Sequence, residues 1–250
     1  TGQRNVAIGQ AALRDLNYDG IGYNVAVGYA AGMTITTGTE NVFIGGLSGD
    51  GLTIGKHNVA IGYESLSSAD AGDFSVAIGH SALREQNGAS AGDNFYNVAV
   101  GYQAGKSITT GVQNVLIGGT AGDSLTSGSY NIAIGRNALQ AEDAHGRNVA
   151  IGHAALEDQN AGADAYNIAI GYSAGKDVTT GTQNTLIGGL AGDALTTGER
   201  SVAVGYLALS TETGSDRSVA IGAEALKTQN VGSSNAYNIA IGDSAAENLT

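Results

Sequence analysis

One five-residue pattern occurs fourteen times in this chain. It reads Asn or Ser, a β-branched residue, a third residue that is usually Ala, Ile or Val, and Gly. The copies begin at Asn5, Asn24, Asn41, Asn58, Ser75, Asn97, Asn114, Asn131, Asn148, Asn167, Asn184, Ser201, Ser218 and Asn238. A long unit of 19 to 22 residues is followed three times by three units of 17, and a fourth long unit opens at Ser218, so four-coil groups start near 5, 75, 148 and 218. A fixed period of this length is the mark of a solenoid, in which one unit cannot bury its own apolar face and stacked neighbours do it together.

Within the pattern, β-branched residues alternate with others, as in Val6 and Ile8 or Val98 and Val100. Period two indicates a short strand. The expected fold is therefore all-β, a parallel β-roll or β-helix solenoid of about 14 coils, treated as one array over residues 1–250. The sequence suggests that the second and fourth positions fill a thin core of Val, Ile and Leu. At ~4.8 Å per coil, the stack would be roughly 67 Å long. The fifth position is Gly in every copy. Gly9, Gly28, Gly45, Gly62, Gly101 and Gly152 are thus expected at bends or close approaches that no side chain fits. Asn at the first position is expected to stack as an amide ladder.

Composition supports an ordered, ladder-rich backbone. The chain has 250 residues, 40 Gly, no Pro and no Cys, and a formal net charge of −12. Absent Pro suits a backbone whose N–H groups join ladders. The acidic balance disfavours nucleic acid, and no apolar run of membrane-spanning length occurs, so no membrane insertion is expected of this segment. The chain opens on Thr1 and reads as an excerpt of a longer fibre.

The form Asn-Val-Ala-Ile-Gly-x-x-Ala, present along the whole chain, resembles the head repeat of trimeric autotransporter adhesins, a repeat style also found in phage tail fibres. The resemblance implies a left-handed parallel β-roll, a homotrimer, and a location on a bacterial cell surface or virion tail fibre. It implies adhesion or receptor binding, to cell-surface glycans or a protein receptor, without cofactor or enzymatic activity. The 17-residue coils are longer than those usual in adhesin heads, and Tyr-x-Ala-Gly…Thr-Thr-Gly (Tyr102–Gly111, Tyr172–Gly181) is closer to phage-type fibres.

In a solenoid each repeat position becomes a row. The third-position row is read here as pointing outward: Ala26, Ala99 and Ala169, with Phe43, Leu116 and Leu186 in the third coil of each group. A continuous outward apolar row suggests contact with sister chains. The row after the invariant Gly places large residues on either side of a Gly: Tyr29 and Tyr63, Tyr102 and Arg136, Tyr172 and Tyr206. Such aromatic rims can stack on a sugar or peptide, or pack at the bend with their hydroxyls in water. The long coils carry extra residues at 17–23, 87–96, 160–166 and 230–237, each ending in Tyr. Insertions on one face of a solenoid often form its binding face.

Other chemistry is disfavoured. Gly45–Asp50 and its copies Gly118–Asp123 and Gly188–Asp193 resemble calcium-binding turns, but with one Asp per four coils the carboxylates would stand ~19 Å apart. His57, His80, His145 and His153 show no metal-ligand spacing, and no Ser/His/Asp set recurs. Thr-rich turns such as 34–37 raise an ice-binding helix, which needs an unbroken Thr ladder. The remaining competitor is a structural spacer or self-assembling filament without its own ligand.

Overall fold

A computed structural model describes residues 2–68, 70–88, 92–214, 216–229 and 235–249. Parts of two predicted long-coil loops, 89–91 and 230–234, lie outside the described residues. The chain divides into two compact units, Thr1–Gly128 and Ser129–Thr250, and the boundary falls inside the second four-coil group.

The first unit contains β1 (Val6–Ile8), β2 (Val25–Val27), β3 (Val42–Ile44), β4 (Val59–Ile61), β5 (Val76–Ile78), β6 (Val98–Val100) and β7 (Val115–Ile117). Each strand pairs in parallel with the next, and equivalent residues lie opposite one another, as in Ala26 beside Phe43. The second unit repeats this with β8 (Ile132–Ile134), β9 (Val149–Ile151), β10 (Ile168–Ile170), β11 (Thr185–Ile187), β12 (Val202–Val204), β13 (Val219–Ile221) and β14 (Ile239–Ile241). The protein is an all-β parallel solenoid with one strand per coil, and no helix occurs among the described residues.

The first-position Asn closes the coil in at least seven of the fourteen units. Asn41 is fully buried. Its Nδ2 donates to the Gly55 carbonyl at the far end of the same coil (2.9 Å) and to Asn24 Oδ1 (3.1 Å), and its Oδ1 accepts the Asn58 backbone N–H (2.9 Å). Asn24, Asn58, Asn97, Asn114, Asn167 and Asn184 make the same 14-residue closure. The expected amide ladder exists, but most of its rungs run from side chain to backbone.

That buried amide fixes which face is inside. Positions 1, 3 and 5 share a face, so the third position points inward and the second and fourth point out. This corrects the sequence reading. Ala26, Phe43, Ala99, Leu116, Ala169 and Leu186 all have 0 % exposure within their own chain. They are core residues, unavailable to a sister chain. Val and Ile at the second and fourth positions are half-buried or exposed.

The row of third positions is not uniform because the core compensates its volume. Counting from the Asn or Ser, position 9 is Leu in coils such as those of Leu66, Leu83, Leu139 and Leu156, where position 3 is Ala. Where position 3 is Phe43, position 9 is Gly in that coil and in the one before. A Cβ on Gly49 would lie 2.3 Å from Phe43 Cε1, and one on Gly32 would lie 2.6 Å from Phe43 Cδ2. Leu116 and Leu186 fill the equivalent space over Gly105 and Gly122, and over Gly175 and Gly192. Ile35, Leu52, Ile108, Leu125, Val178 and Leu195 complete these coils.

The fifth-position Gly meets both expectations. Gly101 has φ +141°, and a Cβ there would lie 2.5 Å from the Gly118 carbonyl oxygen of the next coil. Gly9, Gly28, Gly45, Gly62 and Gly152 repeat this geometry. The coil has a second, unforeseen strain. The residue before the pattern is left-handed without being Gly, as at Tyr23 (φ 51°), His57 (φ 58°), Phe74 (φ 61°) and Tyr96 (φ 51°). That conformation is costly for an L-residue. It accompanies a bond from the residue's own N–H to the previous coil, as from His57 to the Thr39 carbonyl (3.1 Å) and from Phe74 to that of Lys56 (3.1 Å).

Two outcomes test this account. Asn41→Leu keeps the volume but strands the Gly55 carbonyl and the Asn58 N–H, and should cost about 2–4 kcal/mol in denaturant unfolding. Phe43→Ala should cost about 3–5 kcal/mol. Adding Gly49→Leu recreates the Ala60–Leu66 pairing of the next coil, so the double variant should be more stable than the two single losses predict by about 1–2 kcal/mol. Strict additivity would refute the compensation.

Candidate interaction face

With Asn, Ala and Gly inside, the outward face of each unit carries two parallel rows of β-branched side chains. Val6, Ile8, Ile44, Ile117, Ile132, Ile168, Ile170, Ile221, Ile239 and Ile241 are its exposed large members. Most positions in these rows are branched hydrocarbons on neighbouring coils, and monomers rarely leave such a surface to water.

Two aromatic rows border the sheet. The one after the invariant Gly was legible from the sequence: Tyr29, Tyr63, Tyr102, Tyr172 and Tyr206 are 48 to 62 % exposed, and Arg136 is exposed too. The rings are not isolated. In the first unit His80 lies between Tyr63 and Tyr102, with centroids 5.5 Å away on each side. In the second, His153 stacks on Tyr172 at 5.4 Å and lies 3.5 Å from Arg136. The notch between Tyr29 and Tyr63 is partly filled, since a Cβ on Gly46 would lie 3.4 Å from the Tyr63 ring; Gly189 has the same relation to Tyr206 at 3.5 Å.

The second row is the left-handed position before the pattern, which sequence reading missed except where it ends a long loop. In the first unit Arg4 lies over the Tyr23 ring (5.6 Å), Glu40 reaches His57 (3.2 Å), His57 stacks on Phe74 (4.7 Å) and Phe74 on Tyr96 (5.1 Å). In the second, Arg147 is held between Tyr130 (5.3 Å) and Tyr166 (5.6 Å), and Arg217 lies over Tyr237 (5.7 Å). In coils such as that of Asn97, positions 0, 2, 4 and 6 therefore present Tyr96, Val98, Val100 and Tyr102 in turn. The available signal was ten of eleven Tyr, all but Tyr18, immediately before or after the pattern.

Away from this face, the predicted loop of the second long coil lines a cavity of about 250 Å³ with Asn87, Gly88, Asp93, Asn94, Phe95, Thr110 and Val112. Hydroxyls of the Thr-rich turns donate to the next coil, as from Thr109 to the Thr126 carbonyl (3.2 Å) and from Thr179 to that of Thr196 (3.1 Å). Asp50, from the calcium-like turn, borders a cleft of about 300 Å³ with Leu47, Glu64, Ser67, Ser68 and Arg84. Its Oδ1 is buried without a hydrogen-bond partner among the described residues. Burial, with the nearby Glu64 carboxylate, pushes the Asp50 carboxyl up to about 6. Asp193 is raised in the same direction, again chiefly by burial.

The fold and its outward rows define a class: a parallel β-solenoid repeat protein with an apolar, aromatic-edged sheet face. No family model matches the chain, and neither a curated protein nor a solved structure shows a significant match to it.

The raised Asp50 pKa has a definite sign. The folded state holds its proton more tightly than the unfolded one, so this contribution to stability is complete below about pH 4 and is lost as pH rises through about 6. Asp50→Asn should then melt above wild type at pH 7.5, by about 1 kcal/mol after allowance for solvent screening. The advantage should vanish below pH 4, and an equal gain at both pH values would disprove the assignment.

Proposed function

We propose that this chain is a segment of an extracellular or virion fibre that associates with copies of itself through the Val/Ile sheet face, as a homotrimer, and presents its aromatic edges for adhesion. The observation that carries this is the pair of largely branched apolar rows, interrupted by Thr185, facing away from a core that is already complete. Completing the burial of one such side chain is worth about 1 kcal/mol. A row repeated on every coil multiplies that small gain along the stack. The partner is a second copy because the parallel, in-register rows give every copy the same flat, regular surface.

Adhesion rests on the exposed rings. Tyr faces stack on the apolar faces of sugars while their hydroxyls remain in water. A shallow face binds one sugar weakly, and repetition on successive coils and on several chains supplies avidity. The acidic balance disfavours a strongly anionic glycan. The ring-on-ring contacts within each row favour a second reading, a spacer whose Tyr and His side chains satisfy one another.

Sedimentation and glycan-array binding separate these readings. Wild type should be trimeric at about 10 µM, and replacing Ile44, Ile117, Ile170 and Ile221 with Lys should give a folded monomer. A monomeric wild type would overturn the assembly proposal. Tyr102→Ala with Tyr172→Ala should lower multivalent glycan binding at least about tenfold without altering assembly. Unchanged or absent binding would leave the spacer.

A further inference from the structure

Position 12 of each coil faces the core. It is apolar in coils such as those of Leu16, Ile35, Leu52, Ile108, Leu125, Val178 and Leu195, but in five coils it is a fully or almost fully buried polar residue: Gln86, Glu142, Gln159, Glu212 and Gln229. Most of these join the first-position network. Asn97 donates to Gln86 Oε1 (2.9 Å), Asn167 to Gln159 Oε1 (2.5 Å) and Asn238 to Gln229 Oε1 (2.7 Å).

The two glutamates hold equivalent places but differ in their surroundings. Glu212 is satisfied: Oε1 accepts the N–H groups of Thr213 (3.0 Å) and Gly214 (3.1 Å), and Oε2 accepts Gln229 Nε2 (3.1 Å). Glu142 has a completely buried side chain. Its Oε1 accepts the His145 N–H at 3.2 Å, and its Oε2 has no partner among the described residues. Gln159, the counterpart of Gln229, instead donates to the Thr179 carbonyl (3.3 Å). His145 Nδ1, itself buried, also lacks a hydrogen bond and lies 3.7 Å from Glu142 Oε1. Asn148 Nδ2, at the first position of the next coil, is unpartnered as well.

The adjoining residues differ in the way a ligand would require. Where the Glu212 loop has Thr213 and Ser215, the Glu142 loop has Asp143 and His145. One oxygen each from Glu142 and Asp143 and one His145 nitrogen lie within 4.8 Å of one another. Side chains of successive accessibility, buried Glu142, half-buried His145 and exposed Asp143, lead from the core to solvent. Asn131 Nδ2 holds the loop by the His145 carbonyl (3.3 Å), and Asp164 Oδ1 holds the Gly146 N–H (3.1 Å).

We propose that Glu142, Asp143 and His145 form a binding site for a zinc-class divalent cation, with water in the fourth position. One imidazole and two carboxylates are a zinc-type donor set. Tetrahedral ligands at zinc bond lengths stand about 3.4 Å apart, so the Glu142–His145 pair needs to close by only a few tenths of an ångström. The cation supplies the counter-charge that Glu212 does not need, because turn N–H groups and Gln229 already stabilise it. The spacing of the four histidines gave no hint of this, since only one contributes. The proposal does not depend on the fibre reading.

The test is calorimetric titration of the untagged, EDTA-stripped full chain with Zn²⁺ and, separately, Ca²⁺. Zn²⁺ should bind once per chain with a Kd below about 10 µM, and Ca²⁺ far more weakly. Asp143→Thr with His145→Ser installs the residues of the satisfied loop and should preserve the melting curve while weakening Zn²⁺ by more than about 100-fold. Glu142→Gln provides a second variant with the same expected loss. Absent Zn²⁺ binding, binding retained in the double variant, or a preference for Ca²⁺ would each overturn the proposal. In the first case Asn148 or water satisfies Glu142.

Discussion

A buried amide holds most of the coils together. The first-position Asn ties the beginning of its coil to the carbonyl 14 residues later and accepts the N–H of the coil above, as Asn41 does with Gly55 and Asn58. A buried polar group is stabilising only when its hydrogen bonds are made. Here they are made only if coils of equal shape stack in register. Ser replaces Asn at Ser75, Ser201 and Ser218. At Ser75 and Ser218 position 12 supplies what the shorter side chain lacks: Gln86 and Gln229 bond both the Ser hydroxyl and the next Asn.

The amide's burial sets the polarity of the strand, and much else follows. Position 3 must turn inward into a space so narrow that Ala fills it wherever position 9 is Leu. Larger residues enter only over paired glycines, as Phe43 does over Gly32 and Gly49. Position 5 approaches the next coil's carbonyl too closely for a Cβ, as at Gly101. The backbone also accepts left-handed non-glycine residues at one end of each strand, a local cost offset by coil-to-coil hydrogen bonds and ring stacking. Each left-handed residue costs about 1–2 kcal/mol and each hydrogen bond contributes about 0.5–1.5 kcal/mol, and repetition makes them decisive.

The same polarity determines what the surface offers. A core made of Ala, Leu and amides leaves the larger branched residues outside, flanked by rings on either side. The self-association and adhesion proposed above rest on the regularity of these rows. The departures from regularity are informative for the opposite reason. Glu142 and Glu212 have the same position and different neighbours, and only Glu142 keeps a buried oxygen without a partner.

The sequence alone determined the solenoid, the coil boundaries, the parallel register, the absolute need for Gly at position 5 and the Tyr row beyond it, because each is written as a period. It did not determine which strand face is inside. Val and Ile at positions 2 and 4 and Ala at position 3 are all apolar, so alternation marked two faces without ranking them, and Phe43, Leu116 and Leu186 read as outward anchors. The tertiary structure decided it through the one position where the faces differ chemically, since the Asn amide finds its partners only inside the coil. The Glu142, Asp143 and His145 cluster was hidden for a related reason: neither its residue types nor its spacing is unusual, and only the closed coil leaves Glu142 buried with an oxygen unpaired.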